Sequence, residues 1–116
     1  MSVCGASRYY HSDSLVNYGA FPQTWEDGDS VHAATGLKGD NDPLDVLEIG
    51  TVKCRSGEVY PVKVLGALAL IDGDEMDWKI VTVAASDSLA GTVDGARLSV
   101  CVCASECVCV RLSMCA

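Results

Sequence analysis

Two apolar stretches joined by a short acidic turn most strongly limit what this chain can fold into. Residues 59–71 and 78–84 are rich in Val, Ile and Leu, and the segment 72–75 between them reads Asp-Gly-Asp-Glu. β-Branched and apolar residues bounded by turn residues are typical of strands. We therefore predict a hairpin that contains one long strand, or two strands if Gly66 interrupts the first.

A further strand is predicted before the hairpin. Residues 44–49 alternate in part between apolar and charged side chains and end at Gly50, which is the pattern of a half-buried strand. Residues 44–85 therefore predict an antiparallel meander with acidic groups at its strand ends. The fold class is mainly β with few or no helices, in a sheet whose edges and open face need a covering partner.

The remaining segments lack the periodicity of regular helices or long strands. Residues 15–25 contain Gly19 and Pro22, which exclude a regular helix, so we predict a short extended segment that turns into a loop. Composition further predicts an irregular N-terminus over residues 1–15, a surface loop over 26–38, a linker over 86–96, and a low-complexity, Cys/Val-rich tail over 91–116.

The length and charge of the chain narrow its functions. A chain of 116 residues fits one domain, and its net charge of −8 argues against a nucleic-acid or anionic-membrane surface. The same charge suits an acidic pocket that binds cations, through which a phosphate substrate would arrive. No run of apolar residues is long enough for a transmembrane helix, and the first residues lack the pattern of a secretory signal.

The seven cysteines do not predict a disulfide or zinc framework. Five of them fall in the last sixteen residues with spacings that match no common ligand pattern, and no histidine accompanies them. Two interpretations stay open: a soft-metal or redox tail, or a tail that is not native to the fold. Without a secretion signal we expect reduced thiols inside the cell. The five are Cys101, Cys103, Cys107, Cys109 and Cys115.

The first acidic group follows the predicted loop. Residues 39–45 read Gly-Asp-Asn-Asp-Pro-Leu-Asp. In an extended chain, Asp40 and Asp42 would face one pocket, and the turn around Pro43 would bring Asp45 to it. Three carboxylates this close repel one another unless cations lie between them. Hard oxygen ligands of this kind suit Mg²⁺, with Mn²⁺ as a substitute.

The second acidic group lies at the hairpin turn. Asp72 and Asp77 flank the turn and would complete the site from the neighbouring strand, while Lys79 shares the side of the strand that carries Asp77. A lysine beside metal-binding aspartates suits a phosphate oxygen. The two groups together predict metal-assisted phosphoryl transfer to water.

Other interpretations of these carboxylates fit less well. A calcium loop of the EF-hand type needs Asp-x-Asp-x-Asp-Gly, a glutamate at its twelfth position and flanking helices. Here Pro43 interrupts the pattern and strands are predicted around it. For residues 72–77 alone, a solvated hairpin turn would be the simplest interpretation.

The acidic groups lie in motifs that resemble those of a known enzyme family. Residues 40–46, Asp-Asn-Asp-Pro-Leu-Asp-Val, resemble the signature of the family I soluble inorganic pyrophosphatases. Residues 17–27 resemble the segment that precedes it in eukaryotic-type members, and the likeness continues in residues 45–50, 62–72 and 76–81. Several motifs in the right order cover about residues 16–90, so the resemblance predicts a partial pyrophosphatase domain there.

The resemblance implies an OB-like β-barrel and the magnesium-dependent hydrolysis of diphosphate to two phosphates. By motif position, Asp40, Asp45 and Asp77 would be the main metal ligands, and Asp72 would hold an ion that arrives with the substrate. Asp42 would be the base for the attacking water. Tyr18 and Lys79 would contact phosphate.

Departures from the family pattern set further expectations. The family has an N-terminal strand pair with phosphate-gripping residues, a tyrosine at the position of Ser14, and a helical stretch where this chain reads Val-Cys-Val-Cys over residues 100–103. We therefore expect a partial chain, either a diphosphatase with incomplete phosphate contacts or a metal-binding or interaction module without turnover. Uncovered sheet edges predict low stability, together with formation of a homodimer or aggregation. The cytoplasm is the expected compartment, with mitochondrion or plastid as alternatives.

Overall fold

Strands account for most of the regular structure in this computed structural model, which describes residues 14–94. One short 3-10 turn is the single helical element of that range. The prediction of a mainly β chain with few helices is therefore confirmed for the described residues. The elements are β1 (Asn17–Ala20), β2 (Lys38–Gly39), β3 (Asp45–Glu48), β4 (Val62–Asp72), β5 (Glu75–Ala84) and the 3-10 turn Ser88–Gly91.

The predicted hairpin is formed by β4 and β5. They pair antiparallel from Val62 opposite Ala84 to Asp72 opposite Glu75. Gly73 begins the two-residue loop with a φ of 64°, a conformation that glycine adopts at no steric cost and that tight hairpin turns need. β4 does not break at Gly66; instead, the register shifts between Val64 and Gly66, as in a β-bulge.

The prediction that residues 44–85 form an antiparallel meander is wrong for β3. This strand pairs in parallel with β5, while β4 lies along the other side of β5. β2 also pairs in parallel with β5, and β1 pairs antiparallel with β3. Residues 49–61 connect β3 to β4, and a connection this long lets the hairpin place β5, rather than β4, beside β3.

The core lies between the hairpin and the segment that follows it. Leu65, Val81 and Val83 are buried, and partly buried apolar residues pack against them. Lys63 reaches that segment, and its Nζ donates 2.7 and 2.8 Å hydrogen bonds to the carbonyls of Ala90 and Val93. The linker interpretation is therefore wrong for this part of the chain. The packed residues are Ile49, Leu68, Leu89, Ala90 and Val93.

A buried carboxylate joins β1, β3 and β5 at one end of the sheet. Glu48 is 2% exposed, and its Oε2 accepts a 2.6 Å hydrogen bond from Asn17 Nδ2. Its Oε1 accepts hydrogen bonds from the backbone N–H groups of Gly50 at 2.7 Å and Ala84 at 2.9 Å. Three donors compensate the burial of this charge, so its function is structural.

Replacing Gly50 with alanine is expected to lower the free energy of unfolding by about 2 kcal/mol. A Cβ at this position would lie 2.3 Å from Glu48 Oε1 and 2.8 Å from Asp87 Oδ2, so the buried carboxylates would have to move. Urea unfolding measures the loss. Gly19→Ala is the matched control, because its Cβ would meet nothing within 4 Å. Equal stability of the two variants would contradict the prediction.

No helix among residues 14–94 has the length and apolar character needed to cross a membrane. The predicted irregular N-terminus and Cys/Val-rich tail lie almost entirely outside the described residues, and so do the five clustered cysteines.

Candidate metal centre

Three carboxylates from separate parts of the chain meet beside β5. Oxygen atoms of Glu26, Asp40 and Asp77 all lie within 4.8 Å of one another. Asp40 directly follows β2, whose residues Lys38 and Gly39 pair in parallel with the start of β5. This pairing carries Asp40 to the same level of the sheet as Asp77. We refer to these three residues as the carboxylate triad.

Glu26 fills a gap in the sheet. One side of β5 is paired with β2 at its start and with β3 from Lys79 onward. Between these two pairings, the backbone N–H of Trp78 points at the Glu26 carboxylate, with 3.1 Å to Oε1 and 3.3 Å to Oε2. Glu26 is only 7% exposed, so the sheet itself holds this acid in place.

Close backbone approach brings Glu26 to the turn at residues 40–42. A Cβ on Gly39 would lie 2.7 Å from the carbonyl carbon of Glu26, so only glycine allows the two segments to touch here. Asn41 N donates a 2.9 Å hydrogen bond to Glu26 O, and Glu26 N donates a 2.8 Å bond to Asp42 O. Residue 26 is thereby paired with the backbone on both sides of the turn.

Crowding raises the proton affinity of two triad members. Burial, and then the negative charge of Asp40, raise the pKa of Glu26 to about 7, although the Trp78 N–H acts in the opposite direction. Burial is also the largest cause of the raised pKa of Asp77, with further contributions from Asp45 and Asp40. A divalent cation between these oxygens would offset both penalties.

A second cluster adjoins the triad through Lys79. Its Nζ donates hydrogen bonds to Asp45 Oδ2, to Asp77 Oδ1 at 2.7 Å and to Tyr18 OH at 3.0 Å. Tyr18 OH in turn donates a 2.5 Å bond to Asp45 Oδ2. The parallel pairing of Asp45 with Lys79 explains this arrangement, because it places β1, β3 and β5 side chains together. We refer to these four residues as the Lys79 cluster.

The two aspartates beside Lys79 have opposite pKa shifts. Burial raises the pKa of Asp45, but the hydrogen bonds from Lys79 and Tyr18 outweigh it, and the net pKa is lowered. Asp77 also accepts a hydrogen bond from Lys79, which lowers its pKa, but burial and the neighbouring carboxylates outweigh this effect and the net pKa is raised. Lys79 itself is partly desolvated, but its three acceptors raise its pKa overall. Asp77 is therefore the member shared between the two groups.

The structure places the predicted site residues unequally. Asp40 and Asp77 join the triad, and Asp45, Lys79 and Tyr18 form the adjoining cluster. Asp42 and Asp72 are exposed and lie outside the three-carboxylate group.

The expectation that residues 40–42 are extended is wrong. Asn41 has a φ of 67°, in the left-handed region, so the chain bends between Asp40 and Asp42. Side chains two residues apart face the same way only in an extended chain, so this expectation does not apply to Asp40 and Asp42. The role of Asp42 as a base stays a prediction.

Glu26 is the site residue that our sequence reasoning missed. It lies at the start of a segment interpreted as a surface loop, next to Asp27, and far along the chain from both acidic groups. The available signal was its place in the motif at residues 17–27 that resembles the family. Local composition gave no reason to separate it from other loop acids.

The donor set fits a hard divalent cation. The triad offers carboxylate oxygens, partly buried and close enough for one ion to contact all three. Two of its members have pKa values raised by burial and by like charges, and a cation would relieve that repulsion. Oxygen ligands of this type favour Mg²⁺, Mn²⁺ or Ca²⁺ over softer metals.

Comparison with known proteins gives matches to one enzyme family. The family model for inorganic pyrophosphatase matches residues 4–104. Inorganic pyrophosphatase from Neurospora crassa is 56% identical over 80 residues, which are 69% of this chain and 28% of that protein. The Drosophila melanogaster enzyme is 51% identical over 89 residues, 77% of this chain and 26% of that protein. The chain thus spans little more than a quarter of the curated relatives it matches.

Solved structures of inorganic pyrophosphatases share the fold of the described residues. The type I inorganic pyrophosphatase from Toxoplasma gondii superposes with a TM-score of 0.73 at 49% identity, covering 78% of this chain and 40% of that one. The Schistosoma japonicum enzyme gives a TM-score of 0.67 at 52% identity, covering 68% and 28%. The family model covers most of the chain, and the motif resemblance is confirmed, so the chain belongs to the inorganic pyrophosphatase family.

Proposed function

We propose that this chain acts in the magnesium-dependent hydrolysis of inorganic diphosphate to two phosphates. The observation that carries the proposal is the carboxylate triad lying directly beside the Lys79 cluster. Asp77 belongs to both groups: its carboxylate is one of the three oxygen donors for a metal ion, and it also accepts a hydrogen bond from Lys79, whose ammonium can face a phosphate. Membership of the family, whose curated relatives are named inorganic pyrophosphatases, supports the same reaction.

Five carboxylates are the proposed ligands of the metal ion. Asp40, Asp77 and Glu26 would hold the ion, with Asp45 and Asp72 as the further ligands we propose. Magnesium, when bound, would lower the pKa of a coordinated water and offset charge on the diphosphate oxygens.

Side chains around the metal centre would contact the phosphate groups and remove a proton from the attacking water. Lys79 Nζ and Tyr18 OH lie within hydrogen-bond distance of each other, and both would donate hydrogen bonds to phosphate oxygens. Tyr18 is exposed, so a substrate can approach its hydroxyl from solvent. Asp42, the exposed acid of the bent turn, would accept the proton of the attacking water.

A second candidate function is divalent-metal binding without turnover. The observation that favours it is the state of Lys79, whose ammonium is already bonded to Asp45 and Asp77 and is only partly available to a phosphate. Electrostatic stabilisation of the transition state depends on such positioned donors. In this case the chain would bind the ion and release no phosphate.

The finer features of the site and the assembly are also proposals. We propose Mg²⁺ as the ion and an OB-like barrel as the architecture of the longer family members. A homodimer is supported by an apolar hollow of about 640 Å³ on one side of the sheet, lined in part by Ala67, Ala69, Trp78 and Ile80. The cytoplasm suits the free thiol of Cys54.

Phosphate release from diphosphate tests the proposed function. Wild-type protein with Mg²⁺ is expected to release phosphate, and Asp42→Asn is expected to reduce the rate about a hundredfold, since a general base contributes on that order. Asp29→Asn is the matched control, because Asp29 is an exposed acid outside the triad. A colorimetric phosphate assay, with chelator as the blank, measures each rate.

The outcomes separate the two candidate functions. Phosphate release that needs both Mg²⁺ and Asp42 supports diphosphate hydrolysis. Calorimetric binding of Mg²⁺ without phosphate release supports the metal-binding module instead. If folded wild-type protein neither binds the ion nor releases phosphate, both functions are wrong for this chain.

A further inference from the structure

The turn at residues 40–42 is held by an exposed aromatic residue outside the carboxylate triad. Trp25 Nε1 donates a 2.8 Å hydrogen bond to Asn41 Oδ1, between the two aspartates of the turn. Trp25 is 59% exposed, so burial does not explain why the indole lies there. The hydrogen bond connects the exposed ring directly to residue 41.

The residue that receives this bond has an unfavourable backbone. Asn41 adopts a φ of 67°, a left-handed conformation that costs an L-residue about 1 kcal/mol and that Asn tolerates better than most. Its backbone N–H also donates to Glu26 O at 2.9 Å. The bend at Asn41 determines where the Asp40 side chain lies relative to Glu26, and it is held by two consecutive residues, Trp25 and Glu26.

We propose that Trp25 is a positioning residue for the metal centre. Its indole N–H, through Asn41, holds the bent turn so that Asp40 stays within reach of Glu26 and Asp77. This inference rests on the proposed function, because it assigns Trp25 a purpose only if the triad binds a divalent ion. Trp25 touches neither the ion nor the substrate in this scheme.

Calorimetric titration with Mn²⁺ and Mg²⁺ tests the proposal without using activity. Trp25→Phe keeps an aromatic ring but removes the N–H donor, and it is expected to weaken ion affinity about tenfold, as loss of an outer-shell partner typically does. Trp78→Phe is the matched control, because it changes the side chain alone and keeps the backbone N–H that donates to Glu26. It removes an indole N–H that donates to His32 Nε2 at 3.2 Å instead of to the turn, and its affinity is expected to stay within about twofold of wild type.

A second variant shows whether the hydrogen bond itself is responsible. Asn41→Gly keeps the left-handed backbone but removes the acceptor, so it should weaken ion binding to the same extent as Trp25→Phe. The double variant should be no weaker than either single one, because both remove the same bond. Additive losses in the double variant would overturn the proposal.

Fluorescence supplies a readout that a merely structural role would not change. In the Trp78→Phe protein, Trp25 is the remaining tryptophan, and saturating Mg²⁺ is expected to shift its emission. Unchanged emission together with wild-type ion affinity in Trp25→Phe would show that Trp25 does not position the turn, while the metal centre would stand. A wild-type protein that binds neither ion would overturn both proposals.

Discussion

Lys79→Met is expected to lower the free energy of unfolding of the metal-free protein by about 3 kcal/mol at pH 7.5. The reason is the charge left behind: Asp45 and Asp77 are mostly buried, at 22% and 13% side-chain exposure, and both would lose their cation. Removing one partner of a largely buried ion pair is strongly destabilising, because the remaining charge is uncompensated. Urea unfolding in the presence of a chelator measures the change.

The dependence on pH identifies the cause of this loss. At a pH low enough to protonate the two aspartates, the deficit of Lys79→Met should shrink, since no uncompensated charge remains. Lys38→Met, which removes an exposed lysine from β2, is the control and should change stability by less than about 0.5 kcal/mol. A deficit that is equal at low and neutral pH would show lost packing rather than lost charge.

Metal-free wild-type protein is expected to lose stability as the pH rises from about 4.5 to about 7. The pKa of Glu26 is raised from 4.5 to about 7, so in this interval the folded chain keeps a proton that the unfolded chain releases. Stability falls with pH wherever the folded state binds more protons. A shift of this size corresponds to a loss on the order of 3 kcal/mol.

Glu26→Gln isolates this contribution. The amide cannot ionise, so the variant should lose less stability than wild type between pH 4.5 and 7.5 by that amount, and it should be the more stable protein at the upper end. The Asp77 carboxylate repels Glu26, so the measured difference also includes the part of the Asp77 contribution that depends on the Glu26 charge. Glu75→Gln, an exposed acid at the start of β5, should keep the wild-type pH dependence. Parallel stability curves for wild type and Glu26→Gln would contradict the assignment.

Local sequence patterns correctly predicted β3 and the hairpin of β4 and β5, but they missed β2, the 3-10 turn and the order of the strands in the sheet. The hairpin of β4 and β5 follows from β-branched content and from the turn at Gly73, both of which act over a few residues. The pairing of β3 with β5 depends on which strand the long connection over residues 49–61 lets approach β3. That choice is made by packing, and no local pattern encodes it.

The triad illustrates the same limit at the level of single residues. Asp40 and Asp77 were predictable because they lie in dense acidic groups with recognisable motifs. Glu26 was not, because its function depends on the gap between β2 and β3 where it accepts the Trp78 N–H. The bend at Asn41 was also hidden, since an asparagine is compatible with extended and left-handed backbone alike.

Clustered carboxylates, a neighbouring lysine, a β-rich composition and the motifs of the inorganic pyrophosphatases were all readable from the amino-acid sequence, and they were sufficient to identify the family. Which of those carboxylates meet became clear only from the folded chain, where Glu26 joins Asp40 and Asp77 while Asp42 and Asp72 stay exposed. The physical reason is that residue types and local backbone preferences act over neighbouring residues. Contacts between Glu26, Asp40 and Asp77 instead arise from strand pairing between segments that are distant in the chain.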